Sequence, residues 1–351
     1  MSRFLSSRYR ELVPYVPGEQ PAGQTYIKLN TNESPFQISE KAAAKALKGT
    51  RPFRLYSDTE CVELRKALSR VYGVPAERIM VTNGSDEALD LAFMAFCSDE
   101  VPALFPDITY GFYRVYADVN RLPFEEIPLR DDFTLDLSDY DKKRGTVFLA
   151  NPNAPTGIAL RRGEIEAFLA SRPDDVLVVD EAYVDFGAES CVPLVAEYPN
   201  LAVIQTFSKS RSLAGARLGF VIADEHLIQD LNTLRFSTNP YDVSSFTQAL
   251  GVAVLEEEAE TRKNCLKIQE NRAWTAEMLT KLGFSVLPSG SNFVFARTDK
   301  MGGQALYLAL KSKGILVRHF NNPRIRDFNR ITIGTMEDMR ALESALRSIL
   351  A

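Results

Sequence analysis

Histidine is scarce in this chain of 351 residues: His226 and His319 are the whole supply. Two isolated histidines leave little for a histidine-based zinc centre or a serine triad. Cysteine is sparse as well. Cys61, Cys97, Cys191 and Cys265 lie far apart with no C-x-x-C pair, which argues against a thiolate metal cluster or a disulfide scaffold and suits a reducing cytoplasm. No apolar run reaches the roughly 18 residues of a membrane span. The first ten residues lack the apolar core of a signal peptide. A net charge of −5 gives no electrostatic ground for a nucleic-acid or anionic-membrane partner. No metal is expected, and the chemistry must rest on Lys, Asp, Tyr, Arg and Asn.

Residues 1–36 are polar and punctuated by Pro14, Pro17, Pro21 and Pro35. They read as an extended arm, with Tyr15, Val16, Ile27 and Leu29 available for docking. Apolar runs then recur at 79–82, 103–105, 124–128, 147–150, 176–179, 201–206 and 218–223, several of them separated by helical periodicity. Most are apolar without alternation, as strands covered on both faces should be. The pattern predicts an α/β layered architecture over 37–245. From Ser245 to about Leu282 one long charged helical region is expected, its Glu256-Glu-Glu258 run a solvated face. Short strands near 284–287, 292–296, 315–318 and 331–333, with helices at 303–313 and 337–350, make 246–351 a smaller α+β unit.

Four stretches carry candidate chemistry. Gln205-Thr-Phe-Ser-Lys-Ser-Arg-Ser-Leu-Ala-Gly-Ala-Arg217 places Lys209 in a Ser- and Gly-rich turn after an apolar strand. A lysine there, desolvated and near other cations, could supply a neutral amine for Schiff-base chemistry; a basic surface turn has the same letters. Val178-Val-Asp-Glu-Ala-Tyr183 ends a strand in Asp180, where a buried carboxylate needs a cationic partner such as a pyridinium nitrogen, or serves as a helix cap. Asn83-Gly-Ser-Asp86 joins a strand to a helix. Backbone N–H groups of Ser85 and Asp86 could bind phosphate there, with Gly84 allowing close approach, or the turn is merely capped. Tyr110 could stack on a planar cofactor or simply pack. Asn151-Pro-Asn-Ala-Pro-Thr-Gly157 is a tight loop at another strand end.

Together these pieces resemble the pyridoxal-phosphate enzymes of the aspartate-aminotransferase fold. Within that fold the chain is similar to the histidinol-phosphate aminotransferases. The segments that carry the likeness include Lys28-Leu-Asn-Thr-Asn-Glu-Ser-Pro35, Asp180-Glu-Ala-Tyr-Val-Asp-Phe186, Pro240-Tyr-Asp-Val-Ser244, Val317-Arg-His-Phe320 and Arg330-Ile-Thr-Ile-Gly-Thr335. The resemblance implies a large domain with a seven-stranded, mostly parallel sheet and a smaller α+β domain. It implies pyridoxal 5'-phosphate on Lys209, with Asp180 at the ring nitrogen, Tyr183 at the phenolic oxygen and Tyr110 on the ring face. Gly84, Ser85, Asp86, Ser208 and Arg217 would surround the phosphate, and Tyr56 would reach it from the other subunit of a homodimer. Arg330, with Arg318 beside it, would take the anionic end of histidinol phosphate or of glutamate and 2-oxoglutarate. The fold usually has Asn directly before Pro-Thr-Gly, where this chain has Ala154. Asn153 or Asn151 would substitute, Asn153 being preferred, or Tyr183 would act alone. An aromatic-amino-acid aminotransferase or a threonine-phosphate decarboxylase of the same fold is the alternative. A pyridoxal-phosphate-binding regulatory module is a further one, for which the sequence shows no basic or helix-turn-helix segment.

Overall fold

The computed structural model describes residues 2–20, 23 and 25–351; Pro21, in the proline-punctuated arm, lies outside them. The strands are β1 Ile27–Lys28, β2 Ile79–Thr82, β3 Ala103–Pro106, β4 Phe124–Ile127, β5 Thr146–Ala150, β6 Leu177–Asp180, β7 Leu201–Thr206, β8 Gly219–Ala223, β9 Phe284–Val286, β10 Phe293–Thr298, β11 Ile315–Leu316, β12 Arg318–His319 and β13 Asn329–Thr332. The α-helices are α1 Glu40–Gly49, α2 Val62–Tyr72, α3 Ser85–Phe96, α4 Phe112–Asn120, α5 Arg162–Ser171, α6 Glu225–Thr238, α7 Ser245–Leu255, α8 Glu258–Lys281, α9 Gly303–Ser312 and α10 Met336–Leu350.

The seven apolar runs assemble into one sheet of order β2-β8-β7-β6-β5-β3-β4. Strand β8 runs antiparallel to both of its neighbours, and the other pairs are parallel. The lack of alternation has a direct cause. Val179, Val203 and Ile222 face one apolar cluster, while Val178, Ile204 and Val221 face another, so both faces are covered. A third cluster, built on α8, α9, α10 and the strands between them, is the core of the smaller unit.

Helix α6 fills a segment where no helix is expected from the periodicity reading. Asp224 caps it, accepting from the His226 N–H, and Ile228, Leu231 and Arg235 form its buried stripe. The helical region after Ser245 is two helices rather than one. Leu250, Ala253, Val254 and Leu255 of α7 pack in the same cluster as Ala42, Ala46 and Leu64 of α1 and α2. Helix α7, which begins at Ser245, thus packs with α1, α2 and the large sheet. Of the three glutamates in the acidic run, Glu256 is exposed, while Glu257 and Glu258 are half-buried. Glu256 pairs with Lys45, Glu257 accepts from Ser39 and pairs with Lys41, and Glu258 binds Arg211.

The N-terminal arm is tied down along much of its length. Strand β1 adds in parallel to β11, and Leu29 is buried in the small core. Tyr15 lies against Phe112 with ring centroids 4.2 Å apart. Val16 leaves its side chain exposed and is held instead through its carbonyl. Glu19 accepts from Tyr307 and Lys311.

Candidate active site

Strands β2, β5, β6 and β7 point their carboxyl ends at one cavity of ≈ 280 Å³, the usual place for a ligand in an open α/β sheet. Ser85, Asp86, Tyr110, Asp180, Tyr183, Ser208, Lys209 and Arg217 all line it, together with Thr31 and Glu33 of the N-terminal segment. Lys209 Nζ donates to the Thr31 carbonyl at 3.1 Å and lies 5.8 Å from the centroid of the Tyr183 ring. Asp180 is buried at the end of β6, where it accepts from the Ala182 N–H (3.1 Å) and the Tyr113 hydroxyl (3.2 Å). Burial pushes its pKa up to about 6. A buried carboxylate with two neutral donors and no counterion touching it is poised for a cation placed in the cavity.

The opposite end of the cavity is built for an anion. Gly84 has φ +81, and a Cβ on it would meet Arg217 Nη2 at 2.6 Å. A Cβ on Gly219 would strike the Gly84–Ser85 peptide at 2.5 Å. Both glycines thus let β8, the turn and Arg217 close around the N-terminus of α3, where backbone N–H groups and the helix dipole favour negative charge. Arg217 also reaches Ser208 Oγ (3.4 Å). Its Nη2 binds the Asp86 carboxylate at 2.8 Å, and that carboxylate also accepts from Tyr110 (2.7 Å) and Tyr116 (3.3 Å). An amine, a buried acid and an anion cradle around one cavity are a donor set that fits pyridoxal phosphate.

Asn153, expected from the sequence at the ring oxygen, is not among the residues that line the cavity. Its Nδ2 donates to the Ile108 carbonyl and Thr156 Oγ1, and its Oδ1 accepts from Thr109. Asn151 is likewise spent on Leu160. Both amides hold the loop shape, and Ala154 faces the cavity. The amide that reaches Tyr183 is Asn32, whose Nδ2 donates to the hydroxyl at 2.9 Å. Asn32 has φ +58, a left-handed conformation that Asn tolerates better than most residues.

The cleft continues outward past Thr31, Tyr110, Ala154, Tyr183 and Lys209 into a second chamber that reaches Tyr15, Asn30, Arg318 and Arg330. Arg330 donates to the Asn30 carbonyl (3.1 Å) and lies over Phe293 and Phe320, while its buried Nε has no hydrogen-bond partner. No described carboxylate lies within ion-pair distance of it. A shielded guanidinium without an acid is a receptor for an incoming anion. Arg318 lines the chamber too, but its guanidinium donates to the Val16 and Pro17 carbonyls (2.8 and 3.1 Å), so it holds the arm. Tyr56 lies outside both chambers, 75% exposed and stacked on Tyr241 at 4.3 Å.

Thr31, Asn32, Tyr113 and Tyr116 are site residues that the sequence reading does not single out. The three-residue spacing of Tyr110, Tyr113 and Tyr116 was the available signal for two of them, since it sets Tyr113 and Tyr116 on neighbouring turns of α4, just after Tyr110. Among the described residues, no group of three or more His, Cys, Asp and Glu is placed to hold a metal ion.

Comparison with known proteins agrees with this geometry. The profile of the family described as "Aminotransferase class I and II" matches residues 24–346. Histidinol-phosphate aminotransferase of Marinomonas sp. (strain MWYL1) is 47% identical over 353 residues, covering 99% of this chain and 100% of the relative. Histidinol-phosphate aminotransferase 1 of Bradyrhizobium diazoefficiens is 47% identical over 350 residues, covering 100% of both. Among solved structures, a putative histidinol-phosphate aminotransferase from Erwinia carotovora atroseptica matches with TM-score 0.85 at 26% identity, over 92% of this chain and 96% of that one. The Sinorhizobium meliloti histidinol-phosphate aminotransferase in complex with pyridoxal-5'-phosphate matches in fold, with TM-score 0.84 at 24% identity over 93% and 92% of the two chains. The chain therefore belongs to the class I and II aminotransferases and, within them, groups with the histidinol-phosphate aminotransferases.

Proposed function

We propose that this aminotransferase exchanges amino groups between histidinol phosphate and 2-oxoglutarate, with pyridoxal 5'-phosphate held by Lys209. The observation that carries the reading is one cavity presenting Lys209, Asp180 and the α3–Arg217 anion cradle, opening onto the unpaired guanidinium of Arg330. Bound pyridoxal phosphate would supply an electron-withdrawing ring that stabilises negative charge at the substrate Cα. Asp180 would pair with that ring's nitrogen and favour its protonated form. Tyr183, itself oriented by Asn32, would donate to the phenolic oxygen, and Tyr110 would cover the ring. The amides of Ser85 and Asp86, with Ser208 and Arg217, hold the phosphate. Lys209 would hold the cofactor and, as a free amine beside the substrate, would move the proton at Cα. Arg330 fixes the anionic end, phosphate in one half-reaction and carboxylate in the other, so both substrates use one site in turn.

The same reading makes the active unit a cytoplasmic homodimer in which Tyr56 reaches the partner's phosphate site. Its exposed ring and the exposed Phe53 and Leu55 beside it support such an interface. Turnover of the purified protein with histidinol phosphate, phenylalanine and threonine phosphate tests the assignment. Preferred amino transfer from histidinol phosphate is expected. Preference for phenylalanine, or carbon dioxide release from threonine phosphate, would replace it.

A further inference from the structure

The turn that carries Lys209 has little backbone support of its own. Between β7 and the short 3-10 turn Ala214–Ala216, the Ser212 N–H donates to the Lys209 carbonyl at 3.4 Å and the Leu213 N–H to that of Phe207 at 3.0 Å. Ser212 is in the left-handed region at φ +57. Ser212 Oγ also donates to Ser34 Oγ at 2.8 Å, and the most buried anchor of the turn is the side chain two residues after the lysine. Arg211 is 3% exposed. Its Nη1 donates to Asp185 Oδ2 and its Nη2 to Glu258 Oε2, each at 3.1 Å. The guanidinium lies over the rings of Phe207 (5.4 Å) and Tyr72 (6.0 Å), and the Tyr72 hydroxyl is itself held by Gln205 at 2.6 Å. Ser210 Oγ donates to the same Asp185 carboxylate.

The two carboxylates come from different places. Asp185 sits in the 3-10 turn Val184–Phe186, two residues after Tyr183. Glu258 opens α8, the first helix of the small unit, beside Glu256 and Glu257, which pair with α1 and its cap Ser39. One planar cation therefore joins the lysine turn, the Asp180–Tyr183 turn and the junction between the two units. A lysine could reach one carboxylate but not span both while lying on two rings.

Resting on the reading of Lys209 as the cofactor lysine, we propose that Arg211 is a positioning residue. It sets the Lys209 amine in register with the Tyr183 hydroxyl, and through Glu258 ties that register to the placement of the small unit. A misplacement of roughly 1 Å in such a group can lower a rate by about a hundredfold, while binding of the anionic end at Arg330 is untouched. The expected signature is thus a fall in kcat with little change in KM.

The test compares holoenzyme with Arg211→Lys and Glu258→Gln. Arg211→Lys should lower kcat by about 10- to 100-fold with KM for histidinol phosphate within about threefold, and should weaken the visible circular-dichroism band of lysine-bound cofactor. Glu258→Gln should shift kcat and the band in the same direction by less. Folded variants with wild-type kcat and an unchanged band overturn the proposal. Should Arg211→Lys not fold, Glu258→Gln, changed at a quarter-exposed helix start, decides alone. Borohydride reduction of the wild-type holoenzyme and peptide mapping keep the two readings apart. A label away from Lys209 sinks the cofactor assignment, whereas a label on Lys209 with unaffected variants sinks the role of Arg211 only.

Discussion

Asp180 should destabilise the chain whenever the cofactor is absent, in a pH-dependent way. Its carboxyl is 5% exposed, and burial, partly offset by the Ala182 N–H and the Tyr113 hydroxyl, moves its pKa from 3.8 to about 6. A carboxyl with a raised folded-state pKa binds its proton more tightly folded than unfolded. Its effect is therefore nil below the unfolded value near 4, grows as a penalty between about pH 4 and pH 6, and is full above that. About two pH units at 1.36 kcal/mol each put the full penalty at about 3 kcal/mol. Asp180→Asn abolishes the titration but keeps an acceptor for the Ala182 N–H. The cofactor-free variant should then be more stable than the parent by up to about 3 kcal/mol near pH 8, the gap being about 1 to 1.5 kcal/mol smaller near pH 5. Urea denaturation of both proteins, dialysed free of cofactor, measures this across that range. Added pyridoxal phosphate should reverse the order, because a protonated ring nitrogen gives the parent's carboxylate its missing cation. A gap that ignores pH, or a parent more stable than the variant near pH 8 without cofactor, refutes the reasoning.

Other outcomes follow from the same geometry. Lys209→Ala should abolish turnover and the borohydride-fixed cofactor label, and persistence of either shows that another lysine carries the chemistry. Arg330→Ala should raise KM for histidinol phosphate and for glutamate by about 10- to 150-fold, the worth of charge-assisted hydrogen bonds; an effect on glutamate alone means the phosphate is held elsewhere. Gly84→Ala, forced into φ +81 and against Arg217, should destabilise the folded chain by about 1 to 3 kcal/mol on backbone strain alone, as read by urea denaturation.

The large sheet was legible in the sequence because most of its strands are buried on both faces, so that Leu177–Asp180 or Leu201–Thr206 could hardly be anything else. Helix α6 was not, although Asp224 and the Ile228, Leu231, Arg235 spacing announce it, because its hydrophobic stripe is interrupted by an arginine. That arginine is buried through a paired hydrogen bond to Asp242, a partner no periodicity can show. The acidic run misled for a related reason. Glu257 and Glu258 look solvent-bound until the fold brings Ser39 and Arg211 to them, whereas Glu256 stays exposed beside Lys45. At the site, Lys209, Asp180 and Gly84 stand out because strand ends and glycines mark them. Asn32 does not, since its closeness to Tyr183 depends on an arm returning across 151 residues of sequence.

That return has a consequence for how the protein is made. Strand β1 finds its partner at Ile315–Leu316, the Asn32 N–H finds Thr332, and the Asn32 carbonyl receives Asn292. A ribosome delivers the first of these segments long before the others exist. The segment that carries the Thr31 carbonyl therefore gains its anchors only when almost the entire polypeptide has emerged. A nascent chain halted before residue 315 would own the large sheet, the lysine and the phosphate turn, yet lack the strand that fixes Thr31 above them.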